Sequence, residues 1–309
     1  MSEHHDVADY SAALVEGPWR HEFVPANGAR FHVALAGPER GAPLVVLLHG
    51  FGQFWWTWRH QIEALADAGY RVAAMDLRGV AASDKPPSGY DTPTRTRDVA
   101  GVVRSLGHDR AVVVGHGFGG SVAWAMGALQ PAVTAGVVAL SAPHPARVHR
   151  SLVQQLTPRA LQMLSFAQLP TLPERRLRDT DLLQKLFDLG SAEPLDADAV
   201  ALYRTVMRIP FAAHTSTEAL RWLVRSTGRT DGRRFTAAVR RGLTVPTLQV
   251  HGARDGLIRR EGADLDGGAF SRDYRFEVLA AAGHYLPEEA SEQVTDLLLD
   301  FLPPHHPAR

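Results

Sequence analysis

"RAVVVGHGFGGSVAWAMG", residues 110–127, holds the change of period on which the reading of this chain turns. The β-branched run Val112-Val113-Val114 breaks at Gly115-His116-Gly117-Phe118-Gly119-Gly120, and a segment of small and apolar residues follows. A continuous apolar run bounded by glycine reads as a strand buried on both faces. The small-residue segment behind it reads as a helix, so the stretch is a strand, a sharp turn with Gly117 at its apex, and a helix.

The same alternation extends on both sides. His21–Val24 and Arg30–Leu35 alternate around Asn27-Gly28 and predict an entry hairpin. "PLVVLLHG" (43–50) is a second buried strand, "WRHQIEALADAG" (58–69) has helical spacing and ends in glycine, and "YRVAAMDLRG" (70–79) returns to strand. "RTRDVAGVVRSLG" (95–107) is helical, and "AGVVALSAP" (135–143) is a strand. Strands alternating with helices predict a mostly parallel sheet covered on both faces. Between 144 and 244 the pattern is helical, Arg- and Leu-rich and punctuated by Pro170, Pro173, Pro194 and Pro210. Strand signals resume at 244–252 and 274–285, and 287–302 reads as one closing amphipathic helix. The expected organisation is a discontinuous core, 1–143 with 245–309, and a helical lid, 144–244, over the C-terminal strand ends, where open α/β sheets bind ligands.

Composition narrows the partners. The 309 residues carry 33 basic and 33 acidic side chains, and 45% are hydrophobic. A balanced charge argues against nucleic acid or an anionic membrane surface as partner. No uninterrupted apolar run is long enough for a transmembrane segment, and 1–20 lacks the apolar centre of a signal peptide, so a cytoplasmic monomer or homodimer is expected. The chain has no cysteine, which removes disulfides, thiolate zinc sites and thiol catalysis. His4-His5 and His305-His306 sit in polar ends and read as solvated tails. There is no H-E-x-x-H motif, so neither a metal nor another cofactor is expected.

In "HGFGQFWWTWRHQIEALADAGYRV", "MDLRGVAASDKPPSGYD", "GHGFGG", "LSAPHP" and "AGHYLPEEA", taken in this order, the chain resembles the α/β-hydrolase superfamily, in its epoxide-hydrolase and haloalkane-dehalogenase-like branch. The resemblance covers nearly all of the chain outside the tails. It implies the α/β-hydrolase fold, a nucleophile at position 117, an acid at Asp255 within "HGARDGLI", and a base at His284. It also implies an oxyanion hole from the backbone N–H groups of Phe118 and Phe51. Asp255 would then hold His284 in one tautomer and stabilise its imidazolium. The plainer alternatives are a loop carboxylate and a packed histidine. Asp76, Arg78 and Asp84 fall in a turn motif of the family that is structural.

This chain departs from the family in three places. Gly117 has no side chain, so no ester can form there. The two lid tyrosines that protonate an opening epoxide fall near Met163 and Trp222-Leu223, and the inserted segment has a single tyrosine, Tyr203. The H-G-x-P motif is His49-Gly50-Phe51-Gly52, and Phe118 offers no side-chain N–H to a leaving halide. Substitutes for the nucleophile are weak: His116 should pack under the turn, Ser121 should lie too far along the helix to reach the pocket mouth, and Ser141 is a reserve candidate. Among the aromatic residues Phe51, Phe54, Trp55, Trp56 and Trp58, the pocket wall is expected to use Phe51 and Trp55, joined by His49 and Tyr203. The resulting expectation is hydrolysis of a small apolar ester, lactone or epoxide by His284-activated water. A silent pseudoenzyme binding a small hydrophobic molecule, or a nucleophile-substituted form of an active hydrolase, remain the alternatives.

Overall fold

The computed structural model describes residues 8–261 and 267–303; both histidine pairs of the tails lie outside them. The chain enters through β1 (Arg20–Ala26) and β2 (Ala29–Ala36). These pair antiparallel with Ala26 opposite Ala29, across a two-residue turn in which Asn27 and Gly28 both have positive φ, 45° and 73°. The sheet continues with β3 (Leu44–Leu48), β4 (Arg71–Met75), β5 (Ala111–His116), β6 (Thr134–Leu140), β7 (Thr247–Gly252) and β8 (Tyr274–Leu279). Its eight strands run β1-β2-β4-β3-β5-β6-β7-β8, antiparallel as far as β4 and parallel beyond.

Every residue of β3, β4, β5 and β7 is buried. Helices on both faces explain the unbroken apolar runs of β3 and of the middle of β4 and β5, while β7 alternates, with Thr247, Gln249 and His251 buried as polar side chains. The cover includes α1 (Arg59–Asp67), α2 (Thr92–Ser105) and α3 (Phe118–Leu129). Asp91 caps α2 by accepting a hydrogen bond from the amide of Thr94, and Pro93 occupies the first turn, where a missing N–H costs nothing.

Between β6 and β7 the chain forms α4 (Pro145–Arg150), α5 (Leu152–Gln155), α6 (Pro158–Phe166), α7 (Leu172–Asp179), α8 (Leu182–Gly190), α9 (Ala197–Met207), α10 (Ala212–Arg225) and α11 (Thr230–Val239). Leu183 and Phe187 anchor α8 in the main core and are fully buried; such burial stabilises by about 1.5–3 kcal/mol per side chain.

Three expected boundaries shift. The helix expected over 58–69 is preceded by a 3₁₀ turn, Trp55–Trp58, and begins at Arg59. The strand expected over 274–285 ends at Leu279, leaving a loop that carries His284. The closing helix is two, Leu286–Glu289 and Ser291–Phe301, broken at Ala290 with φ −137° and ψ 45°. The break lets the Glu289 carboxylate turn back onto the amides of Gly283, Tyr285 and Ala192.

His144 caps α4 from a buried position, its ring stacked 3.8 Å from that of Phe270. Burial first, then the nearby Arg147 and Arg240, push its pKa down to about 3. An unfolded histidine titrates near about 6.5. Below that value the unfolded chain takes up a proton that the folded chain refuses. The contribution of neutral His144 is therefore complete above pH ~6.5 and declines as pH falls toward 3, by up to about 1.4 kcal/mol per pH unit. His144→Asn, which keeps a capping acceptor, should flatten the decline of the urea midpoint between pH 7 and pH 4; an unchanged slope would contradict this.

Candidate active site

The site forms where β5 meets α3. Gly117 sits at the turn with φ 51° and ψ −112°, and its N–H donates to the carbonyl of Leu140 at 2.8 Å. A Cβ on Gly119 would be driven into the carbonyl oxygens of Leu48 and His49. A Cβ on Gly117, in contrast, would have as its nearest neighbours His284 Nε2 at 3.3 Å, Gly50 Cα at 3.8 Å and His284 Cε1 at 3.9 Å, so the His284 ring need give by only a few tenths of an ångström. Glycine is thus required at 119 by close packing and at 117 mainly by backbone conformation, which costs other residues about 1–3 kcal/mol.

His284 reaches this point from the loop after β8. Its amide donates to the carbonyl of Gly190 at 2.9 Å, and the amides on either side of it, Gly283 and Tyr285, donate to Glu289. His116 Nε2 donates to the His284 carbonyl at 2.8 Å, and His116 Nδ1 lies 2.9 Å from the Gln53 side-chain amide. Burial, reinforced by the neighbouring His284, pushes His116 down to about 3, so it is a neutral strut beneath the turn.

Asp255 Oδ2 accepts from His284 Nδ1 at 2.8 Å, and Asp255 Oδ1 accepts from the amides of Leu257 and Ile258, both at 2.8 Å. Burial alone would raise this carboxyl. The His284 imidazole and the hydrogen bonds outweigh it and hold the pKa below the ordinary carboxylate value. The His284 proton therefore rests on Nδ1, and Nε2 faces position 117. A second imidazole, His251, is fully buried with Nδ1 4.0 Å from Asp255 Oδ2.

A cavity of about 200 Å³ opens against Gly117, Phe51, Phe118 and His284. The inserted helices supply much of its wall, including Met163 and Leu164 from α6, Leu186 from α8 and Leu223 from α10. Its polar members are few: Ser121, Thr217, His284 and Tyr285. Thr217 donates to Ala213 O at 2.7 Å, and Tyr285 donates to Leu186 O at 3.3 Å. Among the described residues the amides of Phe51 and Phe118 donate to no carbonyl. Phe118 is the first residue of α3, where an amide has no partner within its own helix. No three His, Asp or Glu side chains converge among the described residues as a metal site would require.

Three residues expected at the pocket lie elsewhere. Trp55 is buried on the far side of its loop, where its indole N–H donates to Ala13 O at 2.7 Å and its ring meets Trp19, His21 and His32. His49 is consumed by backbone, with Nδ1 on Gly50 O at 2.9 Å and Nε2 accepting from Leu77 N at 3.1 Å. Tyr203 is buried between Phe54 and Phe187 and donates to Glu288, which also pairs with Arg59 at 2.8 Å. It ties α9 to the core. Ser121, expected to fall short, does line the cavity: α3 starts at 118, and helical side chains lean toward the N-terminus, over the preceding turn. Ser141 is fully buried with φ 49° and is not part of the cavity wall. Trp222 turns away to pack on His149 and Phe235, leaving Leu223 at the wall.

Sequence reasoning also passed over Glu289, His251 and Tyr285. The signal for Glu289 was present: an acidic pair behind Pro287, at a helix start, marks a carboxylate free to bond the amides of the preceding loop.

A model of the alpha/beta hydrolase fold family matches residues 43–291. An AB hydrolase superfamily protein, YfhM, of Bacillus subtilis is 33% identical over 296 residues, covering 91% of this chain and 97% of that protein. Epoxide hydrolase A of Mycobacterium tuberculosis is 33% identical over 309 residues, covering 90% and 96%. The crystal structure of epoxide hydrolase A from Mycobacterium thermoresistibile superposes with a TM-score of 0.76 at 27% identity, covering 92% of this chain and 98% of the other.

The two glycines should respond differently to substitution. Gly117→Ala should fold and lose about 1–3 kcal/mol. Gly119→Ala, which forces α3 off β3, should lower the thermal midpoint further; the opposite order would contradict the packing described.

Proposed function

The chain belongs to the alpha/beta hydrolase fold family, on its epoxide-hydrolase-like side, and from that premise we propose that it hydrolyses a small apolar ester or lactone with water, without a covalent intermediate. The observation that carries this reading is the 3.3 Å between His284 Nε2 and the place where a Gly117 side chain would begin. Water fits where the carboxylate of an ester-forming enzyme would stand. His284 takes its proton at Nε2, Asp255 balances the imidazolium through Nδ1, and hydroxide attacks the carbonyl carbon. The oxyanion is received by the amides of Phe118 and Phe51, and the imidazolium returns the proton to the leaving oxygen. General-base action of this kind contributes about 10²–10⁴ in rate, and oxyanion donors with binding retain about 10³–10⁴ over water when a triad member is missing.

The helices between β6 and β7 act in this reading as a lid that excludes bulk water and selects for apolar substrates. Esters and lactones are favoured over epoxides. Their developing charge falls on an oxygen that the amides can hold, whereas an opening epoxide needs a proton donor above the ring. Met163 and Leu223, at the cavity wall, donate none. That same observation supports a second reading, in which the apolar cavity binds a ligand without turning it over.

A panel of short-chain esters, lactones and epoxides should show turnover mainly of the first two. His284→Ala should lower kcat/KM by about 10²–10⁴, and Asp255→Asn should lower it as well. Protein quenched during turnover should keep its unmodified mass. An adduct on any residue, or activity that survives His284→Ala, would refute water activation by this pair.

A further inference from the structure

The place that Gly117 leaves free is bounded in a way that suits one particular chemical group. On one side His284 Nε2 stands 3.3 Å from the position of a first side-chain atom, with its ring fixed from behind by Asp255. His284 is 8% exposed, and its Nε2 takes no partner among the described residues. Phe118 and Phe51 also line this end, and among the described residues their amides donate to no carbonyl. Phe118 opens α3, a helix of 12 residues, whose N-terminus carries a partial positive charge. Behind it, Arg95 is buried with its guanidinium carbon 4.6 Å from the centre of the Phe118 ring. Burial lowers its pKa to about 10, so it remains a cation at neutral pH. Gly117, Phe118, Phe51 and His284 thus meet at one end of a cavity whose remaining wall is almost wholly apolar, with His284 Nε2 as an acceptor and the helix N-terminus as the source of positive potential.

We infer that this cavity binds a short-chain apolar monocarboxylic acid, with the carboxyl group of the ligand seated where the side chain of residue 117 would stand. One carboxyl oxygen receives the amide N–H groups of Phe118 and Phe51. The other shares the acid's proton with His284 Nε2, whose own proton stays on Nδ1 against Asp255. No covalent bond is made or broken. A carboxylate buried in apolar surroundings is costly unless paired and hydrogen-bonded, and this end of the cavity supplies both. The tail points into the leucines, Met163 and Phe166 of the inserted helices. The cavity, about 200 Å³ with an apolar wall, suits a short alkyl tail, for which hexanoate serves as the probe. The ligand uses the site of the proposed reaction and rests on that reading of its geometry, not on turnover; it corresponds to the acid product of an ester.

Calorimetric titration with hexanoate tests this, with hexan-1-ol as the uncharged comparison. Hexanoate should bind at least ten-fold more tightly than hexan-1-ol. Gly117→Asp, which places a tethered carboxylate in the same position, should weaken hexanoate at least ten-fold while changing hexan-1-ol little. Should Gly117→Asp fail to fold, His284→Gln should weaken hexanoate in the same way. Equal affinity for acid and alcohol, undiminished hexanoate binding in the variants, or no binding of hexanoate would each overturn the assignment. Ester turnover measured on the same preparations separates the two ideas. Binding without turnover leaves the ligand assignment standing and removes the hydrolase reading. Turnover without hexanoate binding does the reverse.

Discussion

The first turn of α3 lies against the end of β3 so closely that the carbonyl oxygens of Leu48 and His49 leave no room for a side chain on Gly119. Much of the site's geometry follows from that contact. It brings α3 onto the strand ends at a fixed angle and forces the chain to reverse sharply at Gly117 with positive φ. It also leaves the Phe118 amide, at the first position of α3, without a helical partner. Buried parallel strands cannot shift to relieve such a contact, because each is packed on both faces. The elbow is therefore stiff by construction, whichever residue occupies its apex.

His284 is placed with comparable rigidity by a different means. Its loop has little regular structure, yet its backbone is fixed from three directions: Glu289 takes the amides before and after it, Gly190 O takes its own amide, and His116 holds its carbonyl. Asp255 is held by the amides of Leu257 and Ile258 in the neighbouring loop. The end of α8 bridges the two loops, since Gly190 O accepts from both His284 N and Gly256 N. The inserted helices thus brace the loops beneath them as well as walling the cavity. Removing either partner of the buried Asp255–His284 pair would strand the other.

The strand–helix alternation and the elbow were legible because they are written in local patterns, β-branched runs and glycine spacing, whereas the pairing of Asp255 with His284 was legible through the resemblance of their motifs to the family. Pocket membership was not. Trp55 and His49 sit in the same short segment as Phe51, yet only Phe51 faces the cavity, because the 3₁₀ turn after Phe54 swings Trp55 toward the N-terminal segment and Leu77 N captures His49. Tyr203 belongs to an inserted helix, but its hydroxyl is taken by Glu288 on the core side. Such choices are made by tertiary partners far away in sequence. Ser121 was missed for a more avoidable reason, since the lean of helical side chains toward the N-terminus carries it back over the elbow.

Whether the dyad is aligned with the elbow apex is answered most directly by putting a side chain there. Gly117→Ser, mixed with an activated aryl ester of a short-chain acid, should release a stoichiometric burst of phenol and gain the mass of one acyl group on the introduced serine. Both signals should vanish when His284→Ala is added. A folded Gly117→Ser protein that gives neither burst nor acyl adduct would contradict the alignment of Asp255 and His284 with position 117.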